Sequence, residues 1–145
     1  MKNRSKALSN NDESGTNFAI EMLNGDITSG INFDSLRKHP EHGYFIIEFL
    51  LCDEKQKYVT PHTSHPKKYW HLNSRKFISL WKITKDLKGQ LFLVNYSKKG
   101  TKHENEILLI HVLDLDQNGI KKEKITRMNR QNFSDWFRRV NKECL

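Results

Sequence analysis

Two carboxylates, Asp34 and Glu48, are the side chains of this sequence with the clearest capacity for chemistry. Asp34 lies in a short alternating segment, and Glu48 lies inside the next, strongly apolar segment. If these segments form neighbouring antiparallel strands, the two carboxylates lie on one side of the sheet. Two carboxylates and a main-chain carbonyl form a hard oxygen site that suits Mg²⁺ or Mn²⁺. Such a site can activate water for attack on a phosphodiester, and Glu21 on an upstream helix can add a third oxygen ligand.

Glu48 stands out because of its apolar surroundings. Residues 44–52 place eight apolar or aromatic side chains around this single charge, which is typical of a strand buried on both faces. Burying an isolated carboxylate costs roughly several kcal/mol of folding free energy unless a cation pairs with it. Two interpretations remain open: a metal-binding or acid–base carboxylate on a core strand, or a glutamate at the strand's open end that pairs with a lysine.

Two histidine pairs flank the Glu48 strand in loops. His39 and His42 precede it, and His62 and His65 follow it in a proline-bounded loop. The polar loop after a buried strand is a natural rim for a site, so His62 or His65 is a candidate general base or phosphate contact. Two such pairs could also complete a zinc site, although no cysteine stands at ligand spacing.

Two basic segments are candidates for nucleic-acid contact. The first combines cations with aromatic rings that can stack on bases, and the second could follow a phosphate backbone. The alternatives are that the rings anchor a helix in the core and that the cations are only solvated. The candidate residues are Lys67, Lys68, Tyr69, Trp70 and Arg75 in the first segment, and Lys121, Lys122, Lys124, Arg127 and Arg130 in the second.

The elements that must position these residues follow from periodicity and breakers. The pattern predicts an α/β fold, with a mixed sheet sandwiched by helices. A tail is predicted over residues 1–16 and a single domain over 17–145. The predicted helices are 18–23, 75–87 and 132–141, and the predicted strands are 31–36, 44–52, 58–60, 90–96 and 106–114, with a turn at 116–119 and a basic connection after it.

Over roughly residues 17–115 this order of elements resembles the PD-(D/E)XK nuclease superfamily. In that pattern an acidic residue on a short strand is followed by the motif Glu-X-Lys on a buried strand. Asp34 matches the first acidic residue, and Glu48 matches the glutamate of the motif. A helix-borne acid, matched by Glu21, is also found. The resemblance implies a restriction-endonuclease-like core and magnesium-dependent cleavage of DNA.

The sequence departs from this family pattern at the lysine. Leu50 occupies the position two after Glu48. In such families the lysine sometimes migrates to the following helix, where Lys76 or Lys68 can supply it. A relative without the lysine would bind nucleic acid and not cut it.

Composition narrows the partners. The 145 residues carry a formal net charge of +8, which favours polyanions, with nucleic acid first. No apolar run approaches the ~20 residues of a membrane span, and no signal peptide or membrane partner is expected. Two cysteines form no disulfide framework, which suits the cytoplasm.

The sequence therefore predicts a metal-dependent nuclease or nuclease-like domain that hydrolyses DNA phosphodiesters. DNA is favoured over RNA as the partner. The alternatives are a non-catalytic nucleic-acid-binding module and a small phage or defence interaction protein with a basic surface. A homodimer and a protein partner remain open.

Overall fold

The computed structural model describes residues 14–28 and 34–145, and the chain divides into two units. The first unit comprises residues 1–30 with Leu145, and it contains helix α1, Ser14–Leu23, which has no buried residue. The second unit is Ile31–Cys144 and contains every strand of the described residues. The predicted boundary at residue 16 stays a prediction, and residues 31–33 of the predicted first strand lie outside the described part.

The second unit is a mixed α/β fold around a five-stranded sheet in the order β1-β2-β3-β4-β5. Strands β2 and β3 are parallel, and every other neighbouring pair is antiparallel. The strands are β1 Ser35–His39, β2 Gly43–Leu51, β3 Gln90–Tyr96, β4 Ile107–Asp116 and β5 Gly119–Met128.

Helices cover both faces of this sheet. Helix α2, Trp70–Asp86, follows a 3-10 helix at Pro66–Tyr69 and connects the parallel strands β2 and β3. Helix α3, Arg130–Glu143, ends the unit. Phe77 and Leu80 of α2 pack against one set of sheet residues, and Val140 of α3 packs against the alternate set. The sandwich expected from the sequence is therefore present in this unit.

Alternation along β2 produces the two faces. Ile46 belongs to the core cluster under α2, whereas Phe45 and Ile47 belong to the cluster under α3. Because successive side chains of a strand point to opposite faces, Glu48 lies on the α2 side with Ile46. This is the face assignment that the sequence predicts.

The connection from α2 to β3 passes very close to β2. A side chain at Gly89 would place its Cβ 2.4 Å from the Tyr44 carbonyl oxygen, so only glycine fits there. Phe45 pairs with Gln90 directly after this crossing. The close approach therefore helps to fix the parallel register that brings α2 over Glu48.

Several predicted elements agree with the structure. Strand 90–96 is confirmed residue for residue as β3. The predicted apolar face of the terminal helix is also confirmed, because Phe133, Trp136, Phe137 and Val140 all pack in the α3 cluster.

Three local predictions are wrong. Residues 58–60 form no strand, because the chain continues through turns to a 3-10 helix that the His65 side chain caps. Helix α2 begins at Trp70 and not at Arg75, because Trp70 packs on Phe77 and extends the apolar face toward the N-terminus. The predicted basic connection after residue 119 is strand β5, since backbone pairing with β4 tolerates charged side chains on an edge strand.

Candidate active site

Glu48 lies in the middle of β2 and is 2% exposed. Its neighbours on the same side of the strand are Ile46, which is fully buried, and Leu50, which packs against the same core cluster. The carboxylate thus lies at the boundary between the apolar core under α2 and the end of the sheet. A charge at this depth needs a cation or strong hydrogen bonds.

Lys76 of α2 supplies that cation. Its Nζ contacts Glu48 Oε1 directly, while the lysine side chain remains 43% exposed. The adjacent Phe77 and the nearby Leu80 are buried against the sheet, and they hold this part of the helix over β2. The structure therefore places a helix-borne lysine against the buried carboxylate, and this contact is expected both from the migrated-lysine interpretation and from the alternative of a glutamate that pairs with a lysine.

Asp34 meets Glu48 from the neighbouring strand. Ser35 pairs with Ile47, so continuing the antiparallel register by one residue sets Asp34 opposite Glu48. The Asp34 main-chain N–H donates to Glu48 Oε2 at 3.3 Å. The Asp34 side chain accepts a hydrogen bond from the Phe49 N–H at 2.8 Å. Asp34 is exposed, so the pair joins one buried and one accessible carboxylate.

The electrostatic environment raises the pKa of Glu48. Burial is the main cause, because it disfavours the charged form, and the nearby Asp34 charge acts in the same direction. The hydrogen bond and charge of Lys76 oppose this increase. Glu48 is therefore a carboxylate whose charge depends on the cation beside it, which is common at functional sites.

Asp34 and Glu48 are the carboxylates that a hard divalent cation could use, and both Glu48 oxygens already have partners, Lys76 Nζ and the Asp34 N–H. Mg²⁺ is usually held by one or two carboxylates and keeps several waters, and Asp34 and Glu48 supply two carboxylates on adjacent chain segments. No group of three or more histidine, cysteine or acidic side chains suited to a metal occurs within residues 14–28 and 34–145. Glu21 is exposed on α1 in the first unit, and its role as a third ligand stays a prediction.

The histidines outside this site have structural partners, which weighs against the zinc interpretation. His39 is 6% exposed; its Nδ1 accepts from the Glu41 and His42 main-chain N–H groups, and its Nε2 bonds Glu143. His65 caps the 3-10 helix through Nδ1 and bonds Glu123 through Nε2 at 2.8 Å. Both ring nitrogens of each are thus already used.

His62 also has protein partners. Its Nδ1 lies 3.4 Å from a Glu106 oxygen, and its Nε2 lies 3.3 Å from the Met128 carbonyl oxygen. Glu106 in turn bonds His103 at 2.7 Å. These contacts connect the loop after β2 to Glu106, the residue before β4, and to Met128 at the end of β5. A general-base role for His62 has no support from these contacts and stays a prediction.

The first basic segment divides into anchored rings and exposed cations. Trp70 stacks on Phe77 with centroids 5.4 Å apart, and its indole N–H donates to the Gln117 carbonyl. Tyr69 is half-buried against the same core. The alternative that these rings anchor the helix start therefore describes their contacts. Lys67, Lys68 and Arg75 are exposed and remain available to phosphates.

The second basic segment does not form one face. In β5, Arg127 lies opposite Leu108 on the α2 side, whereas Lys124 lies opposite His111 on the α3 side. Lys121 lies 3.7 Å from Asp116, and Lys122 is exposed. Arg130 donates to the main-chain carbonyls of Glu104 and Ser97, which fastens the start of α3.

Sequence reasoning missed Asn95 of β3. It is 1% exposed, and its carbonyl oxygen Oδ1 has no hydrogen-bond partner among the described residues. A polar residue in an apolar strand was the available signal, and it is the same signal that pointed to Glu48 one strand away.

No protein-family model matches this chain, and no curated protein or solved structure shows significant similarity to it. Within the described residues, no helix has the length and apolar character needed to cross a bilayer. A cytoplasmic location stays a prediction.

Proposed function

We propose that this chain is a metal-dependent nuclease that hydrolyses DNA phosphodiesters, with a restriction-endonuclease-like core. The observation that carries the proposal is the contact of Lys76 with the buried carboxylate of Glu48, beside Asp34. The family pattern that the sequence resembles contains two acidic residues and a lysine. Leu50 occupies the lysine position of the pattern, and in this proposal Lys76 of α2 takes the lysine's role. The net charge of +8 supports a polyanionic substrate.

Each residue has a separate role in this proposal. Asp34 and Glu48 would hold Mg²⁺ or Mn²⁺, and the bound cation would supply Lewis acidity at the phosphate and lower the pKa of a bound water. Lys76 compensates the Glu48 charge and donates hydrogen bonds toward the negative charge that develops at phosphorus. Its exposed side chain allows it to contact both the carboxylate and an incoming phosphodiester. Lys67, Lys68 and Arg75 add phosphate contacts.

The test is cleavage of supercoiled plasmid and end-labelled oligonucleotides with Mg²⁺, Mn²⁺ or EDTA. Wild type should cut only with a divalent cation. Lys76→Ala should lose cleavage by about 10²-fold or more, the typical effect of removing one group that stabilises transition-state charge. Lys76→Arg should retain part of it, whereas the matched control Lys82→Ala, an exposed lysine of the same helix, should cut like wild type.

The second candidate function is a nucleic-acid-binding module that does not cut. The observation in its favour is Leu50 at the family's lysine position. If wild type binds DNA but never cleaves it with either cation, this second function replaces the first. If wild type cuts and Lys76→Ala cuts equally well, the lysine mechanism is wrong.

A further inference from the structure

A cleft beside the candidate site has no assigned role. It encloses about 380 Å³ between the start of α2 and the ends of β2 and β3. Ligand pockets range from about 300 to 1,000 Å³, so this cleft suits one small group. Lys76 contributes to its wall, so the cleft and the Glu48 site share this lysine. Its lining includes Leu50, Tyr69, Leu72, Asn73, Lys76 and Asn95.

Asn95 is the most deeply buried of these polar side chains and is fixed in one orientation. Its Nδ2 donates to the Pro61 carbonyl at 3.1 Å and to the Ser64 carbonyl at 2.7 Å. Rotating the amide would turn its oxygen toward those two carbonyl oxygens, so the assignment of nitrogen and oxygen is determined. The remaining group, Oδ1, is a buried acceptor without a partner in the described residues.

A buried acceptor without a donor is an uncommon and unfavourable feature. Buried polar groups are nearly always hydrogen-bonded, and an exception calls for an explanation such as a binding role. The matching ligand group is an N–H that enters the cleft. The lining around Asn95 is apolar at Leu50, Tyr69 and Leu72 and carries a second amide at Asn73. This combination suits a planar heterocycle with polar edges.

We propose that the cleft binds an unpaired nucleobase next to the phosphate held at Lys76, with a base N–H donating to Asn95 Oδ1. The inference rests on the proposed function, because it assigns the substrate that the same site would cut. Every nucleobase carries an N–H on its Watson–Crick edge, and in a duplex that edge is engaged in pairing. The substrate class is therefore single-stranded DNA or a nucleotide extruded from a duplex.

The aromatic wall is compatible with this class of ligand. The Tyr69 phenol is neutral at physiological pH even at its ordinary pKa of about 10, and burial, the main cause, raises that pKa to about 12. Tyr69 is also held by the core through its contact with Phe77, with centroids 6.4 Å apart. A neutral, fixed ring gives a base a surface for stacking that does not depend on sequence.

The experiment is an NMR titration of ¹⁵N-labelled protein without divalent cation. The probes are the four deoxynucleoside 5′-monophosphates and, as the matched probe without a base, 2-deoxyribose 5-phosphate. The nucleotides should shift the side-chain amide resonances of Asn95 and Asn73, and the sugar phosphate should shift only resonances around Lys76. Equal shifts with both kinds of probe would overturn the proposal.

Variants then locate the base contact. Asn95→Leu should weaken nucleotide binding about three- to tenfold, the usual effect of one neutral hydrogen bond, without changing sugar phosphate binding. Because Asn95 also holds the loop carbonyls, Asn73→Ala provides a second variant that leaves the buried amide intact. Asn118→Ala, an exposed asparagine in the β4–β5 turn, is the control. Wild-type affinity in both cleft variants would refute the base contact.

This experiment separates the two proposals. Cleavage of DNA without any base-dependent shift would reject the base cleft and leave the nuclease standing. Base-dependent shifts at Asn95 without cleavage under any cation would reject the nuclease and leave a base-binding cleft.

Discussion

The two faces of the central sheet differ in the side chains that strands β2 and β3 bury. Toward α3, strands β2 and β3 present Phe45, Ile47 and Phe49, and Phe92, Val94 and Tyr96, and aromatic rings of α3 pack on them. Toward α2, the same strands present buried Glu48 and buried Asn95 among apolar residues. Since both faces come from the same backbone, the difference lies in side-chain choice. The α3 face contributes mainly stability, whereas the α2 face carries the two buried polar groups on which the proposed site depends.

The strand register shows that these polar groups belong together. Leu50 pairs with Asn95, and Glu48 pairs with Leu93. Glu48 and Asn95 are thus diagonal neighbours across parallel strands, with Lys76 and the cleft on the same side. An apolar core would be more stable at both positions. The Glu48–Lys76 ion pair and the unbonded Asn95 acceptor occupy these positions instead. A functional site often contains such groups at a cost in folding stability.

The largest expected effect comes from removing the charge on the α2 face. Glu48→Gln should reduce metal-dependent cleavage by about 10²-fold or more, because a ligand of the cation is lost. The free energy of unfolding should stay the same or rise, because Lys76 is exposed enough to be solvated alone. Plasmid cleavage and urea unfolding measure the two quantities.

The matched control for Glu48→Gln is Glu41→Gln, which neutralises an exposed glutamate in the β1–β2 turn. A Glu48→Gln protein that unfolds readily, while its folded fraction still cleaves, would make Glu48 a structural residue.

The opposite result is expected on the α3 face. Leu109→Ala should lower the free energy of unfolding by about 2–5 kcal/mol, because Leu109 is 6% exposed in the α3 cluster. The cleavage rate per folded molecule should not change. The control is Leu113→Ala in the same strand, where the side chain is 42% exposed. Loss of activity in folded Leu109→Ala would show that the two faces are not separable.

Removing surface charges should weaken DNA binding on the α2 side and not on the α3 side, with a smaller effect than the substitutions above. The double variant Lys67→Ala/Lys68→Ala removes two lysines just before α2, and Arg138→Ala/Arg139→Ala removes two arginines of α3. All four side chains are exposed. Each phosphate contact contributes about −0.9 to the slope of log K against log salt concentration on duplex DNA. The lysine pair should flatten this slope by up to about 1.8, and the arginine pair should leave it unchanged. Fluorescence anisotropy at several salt concentrations distinguishes them, and equal slopes would argue against binding on the α2 side.

The smallest effect is the pH dependence of stability. Because the folded-state pKa of Glu48 is raised, mainly by burial, protonation favours the folded state. This contribution is fully present below the ordinary glutamate pKa and is lost as pH rises through the higher folded pKa. The melting temperature of Glu48→Gln relative to wild type should therefore increase from pH 4 upward, without divalent cation. A difference that shrinks with pH would mean that Lys76 outweighs burial.

The sequence by itself determined strand β3, most of β2 and the position of the buried charge. Hydrophobic runs fix β3 and most of β2, and period-two alternation assigns Glu48 to a definite face. The amphipathic spacing likewise fixes the buried side of α3. These features are local, because they depend on which residues stand one, two, three or four positions apart.

Only the tertiary structure decided which groups meet. Lys68 and Lys76 are equally plausible substitutes for the missing lysine from the sequence alone, but only the packing of α2 on β2 shows that Lys76 reaches Glu48. Long-range contacts also decide two other features. His39 and His65 each bond a glutamate far away in the chain, and residues 119–128 become a strand by pairing with β4. Contacts between residues far apart in the chain are set by how helices and strands pack, and local sequence carries little information about that.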